Sequence, residues 1–245
     1  MHEASLHENN CFITLTYDNA HLPPDGSLQL SDWQKFMKRL RKKYGENIRF
    51  YHCGEYGEKL GRPHYHACLF NFDFPDKKIW NRTKQGHTVW RSKSLEELWP
   101  MGLSEIGSVT FQSAAYVARY IMKKVTGAQS SDHYERIDPV SGEIRLLKPE
   151  YVTMSRRPGI AHGWFEKFGS DVYPSDSVIV NGRAVRPPRY YDKQLKELAP
   201  FMWDDVQYSR YEKSLNYLDD NSPERMLVKE QVALAKLKTL KRTLS

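Results

Sequence analysis

Three stretches near the N-terminus carry the dense β-branched and aromatic content of strands. Residues 12–17, Phe-Ile-Thr-Leu-Thr-Tyr, predict the first, and residues 48–54 and 63–72 predict two more, joined by the polar, glycine-containing segment 56–62. Residues 106–111 predict a fourth. Between the first two the apolar period lengthens to that of a helix, with Trp33, Phe36, Met37, Leu40 and Tyr44 recurring on one side. Ser31 and Gln34 have the spacing of a capping box at its start, and Gly45 can end it. The other side carries Lys35, Lys38, Arg39, Lys42 and Lys43, which read as a charged outer face. Ser94 and Glu97 mark a short helix that stops before Pro100, and Ser113 caps a helix over 114–126 closed by Gly127. Residues 73–93 read as a loop or irregular insertion, and 128–150 as a flexible or hairpin insertion. Arg156 to Pro158 turn into a short helix around 161–168, and Asn181-Gly182 is a hairpin signal within 175–190. From Asp192 onward the pattern is helical, with Ser222-Pro223-Glu224 opening the last helix. Leu227, Leu234, Leu237 and Leu240 can line one side of it, as a packed appendage or a partner-binding arm.

Length and charge narrow the picture. The 245 residues make one large domain, or one domain with an appendage. A net charge of +7 favours a polyanionic partner, most simply nucleic acid, with ordinary basic solubility as the plain alternative. Cys11, Cys53 and Cys68 are an odd, sparse set without a CxxC pair, which argues for a reducing compartment and against a disulfide scaffold or a cysteine zinc site. No apolar run approaches the ~20 residues of a membrane span, and residues 1–10 lack the apolar region of a signal peptide.

The candidate chemistry lies in two places. In Arg62-Pro63-His64-Tyr65-His66-Ala67-Cys68-Leu69-Phe70 strand alternation sends His64 and His66 to one face and Tyr65 to the other. Two imidazoles on one face are half of a divalent-metal site, and a hairpin would bring the Glu55 carboxylate beside them. Two unrelated histidines in a strand are the plain alternative. On the helix over 116–125, Val117, Ala118, Ile121, Met122 and Val125 fall on one side, and Tyr116, Arg119, Tyr120, Lys123 and Lys124 on the other. The tyrosines are thus expected outside the main apolar stripe, one turn apart and able to serve one site. They could equally be amphipathic side chains at the edge of the core. A phenol is a weak nucleophile until activated, and the neighbouring cations would favour phenolate and hold a phosphate. Together the parts suit transesterification at a phosphodiester. A divalent ion on His64, His66 and Glu55 polarises a non-bridging oxygen, a tyrosine attacks phosphorus in line, and a 3′-hydroxyl leaves. The phosphotyrosine bond lets a later hydroxyl reverse the step, and a second tyrosine allows a second transfer.

With these residues the chain resembles the HUH endonuclease superfamily, named for its His-hydrophobic-His motif. It looks most like the rolling-circle replication initiators of microviruses of the gokushovirus type, a two-tyrosine class. Residues 12–17 are similar to the first motif. Gly54-Glu55-Tyr56-Gly57 with Gly61-Arg62-Pro63-His64-Tyr65-His66 is similar to the metal segment, with Glu55 at the carboxylate-ligand position. Residues 116–124 are similar to the two-tyrosine motif. Residues 154–160, Met-Ser-Arg-Arg-Pro-Gly-Ile, resemble a phage-initiator signature, so the likeness covers roughly 12–170. Arg119 stands where the motif often has Lys, which leaves Lys123 as the candidate assisting cation. The resemblance implies an α+β fold, a central antiparallel sheet flanked by helices and related to the RNA-recognition fold, with a helical C-terminal extension. The expected division is an endonuclease (nickase) domain over 1–190 and an extension over 191–245. It further implies Mg²⁺ or Mn²⁺, a single-stranded DNA origin carried as a covalent 5′ adduct, and action in the cytoplasm of a bacterial host. There is no GxxxxGK[ST] loop, so a host helicase would separate the strands. The cysteine-containing segment that such proteins carry before the first motif is missing, which implies that the chain begins inside a longer protein.

Three other readings compete. Two His and a carboxylate also build non-haem iron and cupin sites, but no Glu or Asp follows His66 closely, and the paired tyrosines would go unexplained. A single-strand binding module without chemistry would use the same aromatic and basic residues. Conjugative relaxases and transposases share the parts; the short chain and the Tyr-x3-Tyr spacing favour an initiator.

Overall fold

The computed structural model describes residues 1–57, 61–83, 85–125, 127, 130–137 and 142–239, the side chains of 120–123 and 238 excepted. The chain forms two compact units, Met1–Ile160 and a second that begins at Ala161.

The first unit opens with a 3-10 turn, Ala4–Leu6, followed by β1 (Asn10–Tyr17), α1 (Leu30–Tyr44), β2 (Arg49–Tyr56) and β3 (Pro63–Phe70). Then come β4 (Lys78–Arg82), β5 (Thr88–Arg91), α2 (Lys93–Leu98), β6 (Gly102–Gly107) and α3 (Phe111–Lys123). The unit ends with α4 (Ser130–Tyr134), β7 (Glu135–Ile137), β8 (Ile144–Leu146) and β9 (Tyr151–Met154). Seven strands form one sheet in the order β4-β5-β6-β1-β3-β2-β9, and every pairing in it is antiparallel. This is the α+β architecture expected. β7 and β8 pair apart from it.

Alternation divides β1 and β3 between two cores. Ile13, Leu15, Tyr17, Tyr65, Ala67 and Leu69 join Trp33, Phe36, Met37 and Leu40 of α1, with Leu95, Leu98 and Trp99 closing the edge. Phe12, Cys68 and Phe70, with Cys53 of β2, meet Tyr116 and Val117 of α3 in a smaller core on the other face. The central strands are therefore covered on both faces by helices whose apolar stripes the sequence displays. All three cysteines are buried and unpaired with each other.

Several boundaries differ from the sequence reading. α1 begins at Leu30, with Gln29 at the cap and no side-chain cap bond; Ser31 falls inside the helix, and the expected Ser31–Gln34 box is not made. α3 begins at Phe111. Thr110 is its N-cap, and Ser113 completes a capping box with it from the third helical position. The region 73–93 is no loop. It holds the β4–β5 hairpin, which joins the sheet where Trp90 pairs with Ile106. Every residue of β4 is exposed, so no apolar alternation marks it. β9 is short and half-buried, and the sequence reading does not include it.

The second unit contains α5 (His162–Val172), β10 (Val178–Val180), β11 (Arg183–Val185), α6 (Arg189–Leu198), α7 (Pro200–Leu215), a 3-10 turn at Asp219–Asn221 and α8 (Pro223–Thr239). Asn181 and Gly182, both at positive φ, make the hairpin turn that the sequence signals. Phe165 packs on Tyr191 at 4.9 Å. The Arg210 guanidinium reaches Asp176 at 2.6 Å and Asp192 at 2.7 Å. Leu227, Leu234 and Leu237 of α8 are exposed, and Leu240 lies outside the described residues. Among the described residues no helix is long and apolar enough to cross a membrane.

Candidate active site on the sheet

The face of the sheet turned to α3 carries two polar rungs. In one, Glu105, Thr14, His66 and Cys53 stand in register across β6, β1, β3 and β2. In the next, Leu103, Thr16, His64 and Glu55 do so. His64 and His66 thus share a face, as strand alternation requires, and Glu55 comes beside them through the β2–β3 pairing. Tyr65 points to the opposite core, where its hydroxyl lies 2.9 Å from that of Tyr17.

Hydrogen bonds fix the groups. The His66 Nε2 lies 2.8 Å from Glu55 Oε1, and its Nδ1 lies 3.0 Å from the Thr14 hydroxyl. His64 donates from Nδ1 to the Arg62 carbonyl at 2.6 Å. A carbonyl can only accept, so that proton sits on Nδ1 and the Nε2 of neutral His64 carries a lone pair. Burial lowers the His64 imidazole below its ordinary value, against the raising effect of the Arg62 carbonyl, and favours that neutral form. Gly57 lets this ring pack closely, since a Cβ there would lie 3.1 Å from His64 Cε1.

The Tyr116 hydroxyl donates to Glu55 Oε1 at 3.0 Å, and its ring stands edge-on to His66 at 5.1 Å. Tyr116 is 8% exposed and belongs to the second core. This corrects its expected place outside the apolar stripe. The patch of sheet under α3 includes Glu55 and His66, so a tyrosine can bury its ring there with its hydroxyl satisfied. The backbone at Tyr120 and Lys123 is helical; their side chains lie outside the described residues, so these two site assignments are not placed.

The donor set suits a divalent ion: two imidazoles, each with Nδ1 engaged as in metal-binding histidines, and a carboxylate. The ligands are not splayed around an ion-sized gap. Among the described residues no group of three or more His, Cys, Asp or Glu is arranged to hold a metal. The His64 and His66 ring centres are 6.3 Å apart, and the His66–Glu55 hydrogen bond spans the positions that an ion would take. Thr14 and the Arg62 carbonyl, which orient the histidines, have no counterpart in the sequence reading. A threonine in a strand and a backbone oxygen carry no signal, although Gly57 beside Glu55 could have pointed to close packing.

Residues 10–125, which contain this whole constellation, match the family model of the replication-associated protein ORF2 type. The chain is 36% identical over 212 residues to the replication-associated protein VP4 of Bdellovibrio phage phiMH2K, covering 82% of this chain and 62% of that protein. It belongs to this family of replication-associated proteins. The replication-associated protein ORF2 of Spiroplasma virus 4 is 30% identical over 216 residues, or 83% of this chain and 62% of that protein. ORF4 of Chlamydia phage 1, also a replication-associated protein, is 32% identical over 206 residues, or 80% and 48%. The chain thus spans about three-fifths of the length of the first two relatives. No solved structure matches it.

Proposed function

We propose that this chain is the nicking and rejoining part of a phage replication initiator, an HUH endonuclease acting on a single-stranded DNA origin. The observation that carries the reading is the Tyr116 hydroxyl held on Glu55, 3.0 Å away, beside the His64–His66 pair. His64, His66 and Glu55 would hold Mg²⁺ or Mn²⁺, and the ion would polarise a non-bridging oxygen of the scissile phosphate.

The chain's own residues do the rest. Glu55 orients the phenol. The Tyr116 oxygen bonds to phosphorus as its proton passes to the Glu55 carboxylate. The bond from phosphorus to the 3′-oxygen breaks, and that oxygen takes a proton from water and leaves as a hydroxyl. The 5′ end remains on the protein as a phosphotyrosine. Attack by a later 3′-hydroxyl reverses the step and rejoins the strand. Tyr120 serves the second transfer, and Lys123 supplies positive charge to the phosphate. A host helicase would open the duplex.

The test is a gel assay with labelled single-stranded origin DNA, in Mn²⁺ or in EDTA. Wild type should give a metal-dependent nick with label retained on the protein. Tyr116→Phe with Tyr120→Phe should abolish both while DNA binding survives, and the two single variants should order the tyrosines. Binding without any adduct, across several origin sequences and metals, would leave a single-strand binding module.

A further inference from the structure

α3 packs over β2, β3 and β9. Beside it, over β1 and β6, opens a cavity of about 370 Å³, within the roughly 300–1,000 Å³ typical of small-ligand sites. Its walls include Phe12 and Thr14 of β1, Val89 of β5, Glu105 of β6, and Thr110 and Gln112 at the start of α3. Thr14 belongs to both places, orienting His66 through its hydroxyl while lining the cavity. Glu105 pairs with Thr14 in register and stands two strands from His66, a separation of about 10 Å at ordinary strand spacing. Glu105 and Gln112 are exposed. Among the described residues neither side chain is held in a hydrogen bond or ion pair.

A phosphate is a poor occupant, because the carboxylate in the wall repels it. A neutral, planar ring suits the apolar side offered by Phe12 and Val89. Single-stranded DNA presents such rings on splayed bases, whose edges are read by hydrogen bonds. We propose that the cavity receives an unstacked base of the strand whose phosphate lies at Tyr116. Glu105 accepts a hydrogen bond from the base's exocyclic amino group, as a carboxylate does from cytosine N4. The pocket therefore selects cytosine, adenine or guanine over thymine at one position. Gln112 helps to orient the base edge. This deepens the proposed function and rests on it.

The experiment is a binding selection from a random single-stranded DNA library in Mn²⁺, using the full chain with Tyr116→Phe and Tyr120→Phe so that nothing is retained covalently. The retained pool should exclude thymine at one position, and a thymine placed there should weaken binding about 5-fold or more. Adding Glu105→Ala should lift the exclusion at that position alone, with the melting temperature unchanged because Glu105 is exposed. A pool without any restricted position, or a restriction that persists in Glu105→Ala, overturns the inference. The outcome is separable from that of the adduct assay. Restriction without an adduct in the unsubstituted chain removes the nicking reading only; an adduct without restriction removes the base pocket only.

Discussion

Thr14 carries more of the site than its chemistry advertises. Its hydroxyl meets His66 Nδ1 at 3.0 Å and sets which edge of the imidazole turns to Glu55. Loss of such an orienting bond typically costs about 10–100-fold in metal affinity. Thr14→Val should therefore weaken Mn²⁺ binding by at least about tenfold in calorimetric titration while the chain stays folded; unchanged affinity would remove Thr14 from the site. Gly102 makes a different demand. It sits at φ +148, and a Cβ there would lie 2.3 Å from the Thr16 carbonyl oxygen, at the start of the β1–β6 pairing. Gly102→Ala should lower unfolding stability by about 1–3 kcal/mol, seen as a shifted denaturant midpoint. His64, His66 and Glu55 are legible in the sequence because strand alternation and a hairpin suffice to gather them. Thr14 is not, because its role depends on which strand lies beside β3. The burial of Tyr116 is not, because a helical wheel counts a tyrosine as polar without knowing that a carboxylate waits beneath it.

Elements with a strong apolar period are the readable ones. β1, α1 and β3 bury one or both faces, and their buried positions recur at strand or helix spacing. β4 and β5 escape the sequence reading for the opposite reason: an edge hairpin exposed along its whole outer strand has no buried face to impose a pattern. In the second unit the Asn181-Gly182 turn is legible from local chemistry alone, whereas the Arg210 pairs with Asp176 and Asp192 join residues far apart in sequence. Burial by itself would raise the Asp192 carboxyl, but hydrogen bonds from Arg210 and Tyr173 outweigh it and hold the group below the ordinary carboxylate value. A carboxyl depressed in the folded state adds stability above its unfolded value, about 3.9, and loses that contribution as pH falls through the folded value. Asp192→Asn should accordingly be less stable than wild type at neutral pH, with the gap closing below pH about 4, as followed by thermal melting. An equal gap at both pH values would contradict the assignment.

At the scale of the whole molecule, the sheet sets two imidazoles and a carboxylate on its α3 face, and α3 lowers a buried tyrosine onto the carboxylate. The net charge of +7 gives the chain as a whole an attraction for polyanions. The family match covers residues 10–125, the span that holds Glu55, His64, His66 and Tyr116. The central claim is that Tyr116 forms a covalent bond to a 5′-phosphate of DNA. Its most direct test is mass spectrometry of the protein after reaction with single-stranded origin DNA and Mn²⁺, followed by nuclease and protease digestion. The account predicts a peptide containing Tyr116 that carries a nucleotide through a phosphotyrosine bond, absent in EDTA and absent in Tyr116→Phe. Cleaved DNA bearing a free 5′-phosphate, with every tyrosine peptide unmodified, would contradict it.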